Sequence, residues 1–321
     1  MNHFVVLAVG LVLMLIATVR TEAATLFVKV TATGTGDCMT WANACTLADA
    51  VAAAETNGTL DAIWVQTGVY PPICDAIDNE DVAIVGGFAG TETSASQSKP
   101  ATYVTIIDGG ELERCASVMD RTSATVLRGL KFVNGYDGDY VGGGALLLSN
   151  SSPRVVDCVF EYNTAAYQGG AVLVEGTSAP HFMNCIFRYN GATTIGGGPY
   201  GGGAIFQLTG TLTVVNTLFH DNRAGQGGAI GERGNDQRRW WGLRARGFRL
   251  LQLHCVGEHQ TRLSQPASNI PRSDPRWPWG NNNHIQRCPG RLVGNWEHQR
   301  RPALLRQLQA AIDVALQGCW R

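Results

Sequence analysis

The sequence predicts an all-β protein, specifically a right-handed parallel β-helix (a β-solenoid) with a short capping helix near its N-terminus. Three observations predict this fold: a motif that recurs at near-constant spacing, short Val- and Ile-rich runs that end at glycine turns, and a composition rich in glycine and poor in charge. The 321 residues include 39 glycines, and 16% are charged, whereas a typical soluble domain carries about 25% charged residues. Such a composition favours closely packed, turn-rich β structure.

The recurring motif is the strongest of these observations. Three segments align with one another: VVDCVFEYN (155–163), FMNCIFRYN (182–190) and VVNTLFHDN (214–222). Each ends in Phe-x-x-Asn, and a Gly-Gly-Ala-aliphatic element recurs at Gly143, Gly169, Gly202 and Gly227. The phenylalanines at positions 160, 187 and 219 are 27 and 32 residues apart, so a unit of about 27 residues with one insertion accounts for the spacing. Units of this kind stack into solenoids, because a single unit cannot bury its own apolar face.

Within each unit, the side chains alternate as they do in a β-strand. We expect one parity to face a shared interior: Val156, Cys158 and Phe160, with Met183, Cys185 and Phe187, and with Val215, Thr217 and Phe219. Two further sets occupy equivalent places in successive units and are expected to form hydrogen-bonded ladders. They are Asp157, Asn184 and Asn216, and the unit-ending Asn163, Asn190 and Asn222.

The glycine clusters are interpreted as corners between strands, because glycine adopts positive φ without a steric penalty. A phosphate-binding glycine loop would require a helix after it, and no helical periodicity follows these clusters. The stretch YNGATTIGGGPYGGGAIF (189–206) carries an insertion of about six residues relative to the other units, and such insertions commonly carry binding specificity. Tyr200 in this insertion is therefore a candidate ligand contact, as are Tyr136 and Tyr140 in the YDGDY segment.

The combination of GGAI with FxxN resembles the repeat of chlamydial-type polymorphic outer membrane proteins and of related bacterial surface proteins with β-helix passengers. The segment LFVKVTATGTGDCMTWANACTLADAVAAA is similar to the opening of many exported β-helix proteins. In those proteins a first strand and a short helix, here about Leu47 to Ala54, shield the end of the solenoid. The resemblance covers about residues 25–231. It implies a secreted or outer-membrane surface protein, acting as a structural or adhesion module whose loops bind host, matrix or carbohydrate ligands.

Four segments follow from these patterns. Residues 1–24 read as a signal peptide, because the apolar run from Phe4 to Val19 is shorter than the roughly 20 residues of a membrane span; an uncleaved anchor is the alternative. Residues 25–110 are expected to hold the N-terminal cap and first coils, and residues 111–231 the clearest repeats. Residues 232–321 are expected to form an irregular basic tail.

Export would permit disulfide formation, and the chain contains nine cysteines. The short spacing between Cys38 and Cys45 predicts a local disulfide, and a bridge between Cys74 and Cys115 is a second candidate. Cys158 and Cys185 occupy equivalent positions in adjacent units, so we expect them to stack as buried thiols.

Acidic residues are the candidates for chemistry. Asp78 and Asp81 lie in DAIDNED, and Asp137 and Asp139 lie in YDGDY; all four are candidate calcium ligands, with solvated acidic turns as the alternative. Pectin-lyase-like β-helices also carry polysaccharide lyases and glycoside hydrolases, and a glycosidase requires a carboxylate pair. A carbohydrate-active enzyme is therefore the second functional hypothesis. No catalytic residue is assigned, and no cofactor other than calcium is expected.

The tail differs sharply in charge from the rest. Residues 1–230 carry a formal charge of −10, and residues 231–321 carry +9 with fifteen arginines and no lysine. A basic domain for nucleic acid or membrane is one interpretation. We favour another, with no nucleic-acid partner: glycine codons begin with GG, and a one-base shift gives triplets ending in GG, which encode arginine, tryptophan or glycine. The tail is then a frameshifted reading of further repeats.

Overall fold

The computed structural model describes residues 23–56, 58–73, 77–139, 141–193, 201–225 and 227–232, together with the backbone of three short strands between residues 248 and 260. The chain divides into two compact units, Met1–Gln286 and Arg287–Arg321, and every described residue belongs to the first unit. Residues 1–22 of the predicted signal peptide lie outside the described part. Among the described residues, no helix is long and apolar enough to cross a membrane.

The described chain consists of short strands, one α-helix and two 3₁₀ turns. The helix is α1 (Leu47–Ala54), and the 3₁₀ turns are Trp41–Asn43 and Ala95–Gln97. The strands, in chain order, are β1 (Thr25–Val28), β2 (Asp61–Gln66), β3 (Gly68–Tyr70), β4 (Val82–Phe88), β5 (Thr105–Asp108), β6 (Ala116–Met119), β7 (Val126–Arg128), β8 (Leu130–Val133), β9 (Tyr136–Asp137), β10 (Leu146–Ser149), β11 (Arg154–Val156), β12 (Val159–Glu161), β13 (Thr164–Ala165), β14 (Val172–Glu175), β15 (His181–Met183), β16 (Ile186–Arg188), β17 (Gly191–Ala192), β18 (Ile205–Gln207), β19 (Leu212–Val215), β20 (Thr217–His220), β21 (Arg223–Ala224), β22 (Ile230–Glu232), β23 (Phe248–Leu250), β24 (Leu253–Val256) and β25 (His259–Gln260).

These strands form four parallel sheets, and each sheet takes one strand from each successive coil. Sheet 1 has the order β1-β2-β4-β7-β11-β15-β19-β23, and sheet 2 the order β3-β5-β8-β12-β16-β20-β24. Sheet 3 contains the two-residue strands β9-β13-β17-β21-β25, and sheet 4 has the order β6-β10-β14-β18-β22. The predicted parallel β-helix is confirmed. An irregular tail was expected from residue 232 onward, and β23, β24 and β25 depart from that expectation because they pair with β19, β20 and β21.

A column of phenylalanines fills the interior. Phe132, Phe160, Phe187 and Phe219 are each fully buried, and they are in register across sheet 2. Successive ring centroids lie 4.9, 4.5 and 5.0 Å apart with interplanar angles of 12°, 3° and 5°. Burying each ring contributes about 1.5–3 kcal/mol. The regular spacing of the phenylalanines along the chain places them over one another in a continuous core.

The prediction of which side chains face the interior was wrong for one residue in each repeat. Val156, Met183 and Val215 face outward and are half-buried. Their preceding neighbours face the core with no exposed surface: Val155, Phe182 and Val214. The reason is backbone geometry. In each of these coils, one residue lies between the strand of sheet 1 and the following strand of sheet 2, and its positive φ interrupts the alternation of inward and outward side chains. These residues are Asp157, Asn184 and Asn216, with φ of 54°, 55° and 46°.

Both predicted ladders are present. In the inner ladder, Asn163 Nδ2 donates to Asn190 Oδ1 at 2.9 Å, and Asn190 Nδ2 donates to Asn222 Oδ1 at 2.8 Å. All three side chains are at most 1% exposed. In the outer ladder, Asn184 Nδ2 donates to Asp157 Oδ1 at 3.2 Å and Asn216 Nδ2 donates to Asn184 Oδ1 at 2.8 Å.

The glycine corners also form as predicted. The first glycine of each Gly-Gly-Ala element has positive φ: Gly143 (74°), Gly169 (61°), Gly202 (70°) and Gly227 (59°). A Cβ at Gly169 would lie 2.2 Å from the Val172 carbonyl oxygen. The second glycine is required by close approach between coils, since a Cβ at Gly170 would lie 2.3 Å from the Gly203 carbonyl oxygen.

The N-terminal end is closed as expected. Helix α1 has the predicted bounds, and the Thr46 side chain caps it by accepting from the Asp49 amide. Its apolar face is buried through Leu47, Ala50, Val51 and Ala54. A disulfide joins Cys38 and Cys45, the pair predicted from their spacing.

The remaining described cysteines are free thiols. Cys115 is one of them, so the second candidate disulfide, to Cys74, is not formed; Cys74 itself lies outside the described residues. The Cys115 Sγ donates instead to the Val133 carbonyl at 3.4 Å. Cys158 and Cys185 are buried free thiols, as their equivalent positions predicted.

Candidate ligand-binding groove

The YDGDY segment lies beside a surface groove. Two adjoining depressions of about 260 and 300 Å³ share Glu113 and Arg114 in their walls. The remaining lining comprises Ile73 and Ser117 in one depression, and Leu112, Tyr136, Asp137, Gly138 and Asp139 in the other. The loop that follows β5 is fixed to the start of β9, because the Tyr136 amide donates to the Glu113 carbonyl at 2.9 Å.

An ion pair between Arg114 and Asp137 forms the floor of the groove. Arg114 Nη2 donates to Asp137 Oδ1, and Arg114 also donates to the carbonyls of Gly142 and Gly143 at 3.0 and 2.8 Å. Asp137 Oδ2 accepts from the Gly142 amide at 2.8 Å. Burial lowers the pKa of Arg114, opposed by the neighbouring carboxylates, and a guanidinium stays protonated at any physiological pH. The pair therefore ties the β9 loop to the next glycine corner.

Of the predicted calcium ligands, Asp137 is the one that the structure buries, with 5% of its surface exposed. Asp139 lines the groove beside it. Asp81 serves elsewhere: it accepts from the Thr122 amide at 2.9 Å and from the hydroxyls of Thr122 and Thr125 at 2.6 and 2.7 Å. Burial raises the pKa of Asp81, but these hydrogen bonds outweigh it and the net shift is downward.

Asp78, the fourth predicted ligand, is held through its backbone, and its amide donates to Glu55 Oε1 at 2.9 Å. Desolvation raises the pKa of Glu55, which caps the C-terminal end of α1. Within the described part of the chain, no three His, Cys, Asp or Glu side chains are grouped so that they could hold a metal ion. The carboxylates of Asp81 and Asp137 thus have separate structural partners.

Of the three predicted tyrosines, Tyr136 lies at the rim of the groove and is 37% exposed. Its ring packs over the next turn, since a Cβ at Gly138 would lie 2.8 Å from Tyr136 Cε1. Tyr140 and Tyr200 lie outside the described residues.

Three exposed side chains and one half-buried cation, Arg114, were missed in the sequence analysis. Leu112 is 82% exposed at the groove, and Tyr162 and Tyr189 are 55% and 42% exposed on neighbouring coils. The tyrosines carried a visible signal, because both precede the asparagine of Phe-x-x-Asn. Leu112 and Arg114 carried none, since they lie in a loop with no repeat pattern.

Comparison with known proteins identifies the repeat itself. The family model of the Chlamydia polymorphic membrane protein (Chlamydia_PMP) repeat matches residues 157–175, a stretch that holds one Phe-x-x-Asn and one Gly-Gly-Ala element. Among solved structures, the crystal structure of the pectin methylesterase from Aspergillus niger in deglycosylated form is 12% identical and covers 79% of this chain and 94% of that chain, with a TM-score of 0.26. None of the curated proteins compared is significantly similar. The chain is thus a parallel β-helix that contains a repeat similar to that of the Chlamydia polymorphic membrane proteins.

Proposed function

We propose that this chain is an exported, secreted or cell-surface β-helix that acts as a structural or adhesion module and binds ligands without turning them over. The matched repeat, whose family is one of membrane proteins, supports the surface location. The observation that favours binding over catalysis is that the Asp137 carboxylate is already hydrogen-bonded within the protein. Both of its oxygens accept hydrogen bonds from the protein, one from Arg114 and one from the Gly142 amide.

This arrangement is poor for hydrolysis. A glycosidase needs two carboxyl groups facing the scissile bond, one to protonate the leaving group and one to act as nucleophile or base. Asp137 faces Arg114 instead, so its carboxylate is engaged within the protein, and Glu113 and Asp139 are the other carboxylates that line the groove. The predicted Asp137 is therefore not free to act as one member of such a pair, and the groove retains apolar and polar side chains suited to contact.

The exposed side chains at the groove supply that contact. Leu112 and Tyr136 present apolar surface at its rim, and such side chains are the usual anchors of a binding site when polar groups surround them. Glu113 and Asp139 are the polar groups here. A carbohydrate or a host or matrix surface molecule is the proposed ligand.

The test uses the purified full-length chain. We expect it to bind members of a panel of polysaccharides and matrix proteins immobilised on biosensor tips, with no release of reducing ends or unsaturated uronides in solution. Leu112→Ser combined with Tyr136→Ser should weaken binding, whereas Leu60→Ser, at a residue 45% exposed elsewhere, should not. Turnover that disappears in Asp139→Asn, with an unchanged thermal midpoint, would establish the enzyme instead. Export is checked by fusing residues 1–24 to alkaline phosphatase, which is active only outside the cytoplasm.

A further inference from the structure

Two tyrosines form a stacked pair on the outside of the β-helix. Tyr162 and Tyr189 follow β12 and β16 at equivalent positions, and their rings are nearly parallel, with centroids 5.1 Å apart and an interplanar angle of 10°. His220, one coil further on, meets Tyr189 edge-on at 5.5 Å. A centroid separation of this size with parallel planes is an offset stack. Parts of both rings therefore remain open to solvent, consistent with exposures of 55% and 42%.

The corner of each coil requires positive φ, and tyrosine is a poor residue type for that conformation. Both tyrosines have φ of 57°, in the left-handed region. The same corner in the flanking coils is occupied by Asn134 and Asp221, with φ of 50° and 53°. Asparagine and aspartate adopt this conformation at little cost, whereas a bulky aromatic residue adopts it only with strain. Strained residues concentrate at functional sites, and two consecutive coils carry the less suitable residue at an exposed position.

Three basic and two acidic side chains lie near the pair, which leaves one net positive charge: Lys131, Arg188 and Arg223 against Glu161 and Asp221. Glu161 lies between Lys131 and Arg188, with its carboxylate oxygens 2.7 Å from Lys131 Nζ and 3.0 Å from Arg188 Nη2. The Glu161 side chain is 8% exposed and that of Arg188 is 38% exposed, so one buried negative charge is shared by two cations. Arg223, which is exposed, lies opposite Gly191 in the next coil. This basic spot stands out on a segment with a net charge of −10 over residues 1–230.

We propose that Tyr162, Tyr189 and Arg188 form a binding site for an acidic polysaccharide that runs along the solenoid axis. The C–H faces of pyranose rings pack on the open parts of the tyrosine rings, and the carboxylates of uronate units are attracted to the part of the Arg188 guanidinium that its pairing with Glu161 leaves exposed. The inference rests on the proposed ligand-binding function and gives it a second, separate surface.

The spacing favours a sugar chain over a peptide. One pyranose unit of an extended chain is similar in length to the 5.1 Å between the tyrosine centroids, so successive sugars meet successive coils. An extended peptide rises about 3.4 Å per residue and places side chains on one face at every second residue. Its side chains would fall out of step with the coils.

The test measures binding of polygalacturonate oligosaccharides to the full-length chain by isothermal titration calorimetry. Tyr162→Asn with Tyr189→Asn should weaken binding at least tenfold and leave the thermal midpoint unchanged or raised, because asparagine suits the backbone at both corners. Arg188→Gln should weaken polygalacturonate binding and reduce the preference over neutral dextran. Val69→Asn, at a residue 53% exposed in sheet 2, should bind as the wild type does.

Three results would overturn the inference: unchanged affinity in the double tyrosine variant, equal affinity for dextran, or equally tight binding of poly-glutamate, which would indicate charge alone or a peptide partner. A wild-type chain that binds no polygalacturonate would overturn it too. The proposed function is judged separately, because it depends on the Leu112 and Tyr136 variants against the wider panel.

Discussion

Replacing Asn190 by alanine should remove a large share of the stability of the β-helix. The buried Asn190 amide makes four hydrogen bonds: it donates to the Phe160 carbonyl at 2.9 Å and to Asn222 Oδ1 at 2.8 Å, and it accepts from the Asn163 amide at 3.1 Å and from Asn163 Nδ2 at 2.9 Å. At about 1 kcal/mol net for each bond, the loss is about 4 kcal/mol. The variant also leaves the buried Asn163 backbone N–H without its acceptor. An unsatisfied buried donor is itself destabilising, so the loss of stability should not be smaller than this sum.

Urea unfolding followed by circular dichroism measures this change, with the slope against urea checked for constancy. The matched control is Asn216→Gly in the outer ladder, where the side chain donates one exposed hydrogen bond to Asn184 and glycine accepts the positive φ of 46°. The control should cost about 1 kcal/mol or less. An equal decrease in the free energy of unfolding in the two variants would refute the argument that buried side-chain amides with several hydrogen bonds hold the coils in register.

Three further outcomes are expected. Gly169→Ala should lower the free energy of unfolding by about 3 kcal/mol or more, because the new Cβ adds overlap with a backbone carbonyl to the strain at positive φ. Gly110→Ala should lower it by only about 1 kcal/mol in the same urea experiment, because Gly110 has a φ of 60° but no atom within 4 Å of a Cβ. Burial raises the pKa of Glu161, but its two cationic neighbours outweigh burial and hold the pKa below its ordinary value of 4.5. The destabilisation by Glu161→Gln should therefore be full above the ordinary pKa of 4.5 and be lost only as the pH falls through the lower pKa of the folded state, measured as urea midpoints across a pH series. Burial raises the pKa of Cys158 to about 12 and that of Cys185 well above its usual range, so peptide mass spectrometry should find both unlabelled by iodoacetamide at about pH 8 until the protein unfolds.

Repetition made much of this fold predictable. Stacked coils place equivalent residues over one another, so a pattern that recurs along the chain identifies neighbours in space without any knowledge of the backbone. The inner asparagine ladder, the stacked phenylalanines and the glycine corners were all accessible in this way. The Cys38–Cys45 disulfide was accessible for another reason, since its two ends lie seven residues apart.

Prediction failed where a single backbone angle decided the outcome. Val156 was assigned to the core by strict alternation, yet Asp157, with φ of 54°, reverses the direction of the side chains on one side of it. The αL preference of asparagine and aspartate was available as a signal at this position. The prediction counted side chains as alternating straight through Asp157 and so did not use that signal.

The candidate sites were harder to foresee than the core. The YDGDY segment was identified as a loop of interest, but the partner of Asp137 is Arg114, which is 23 residues away and outside any repeat. Contacts of this kind are made by loops between coils, where the repeat imposes no residue type. The exposure of Leu112 likewise depends on which neighbouring loops cover it.

The sequence by itself determined the architecture: the length of a coil, the places where it turns, and the residues that stack from one coil to the next. Those features are repeated and local, and each copy confirms the others. The tertiary structure alone decided which side of each strand faces the core, which carboxylates are neutralised within the protein, and that Tyr162 and Tyr189 form an exposed pair beside a basic residue. The carboxylate contacts depend on loops that occur once in the chain, and the strand faces and the tyrosine pair depend on positive-φ corners, whose effect simple alternation of side chains does not capture.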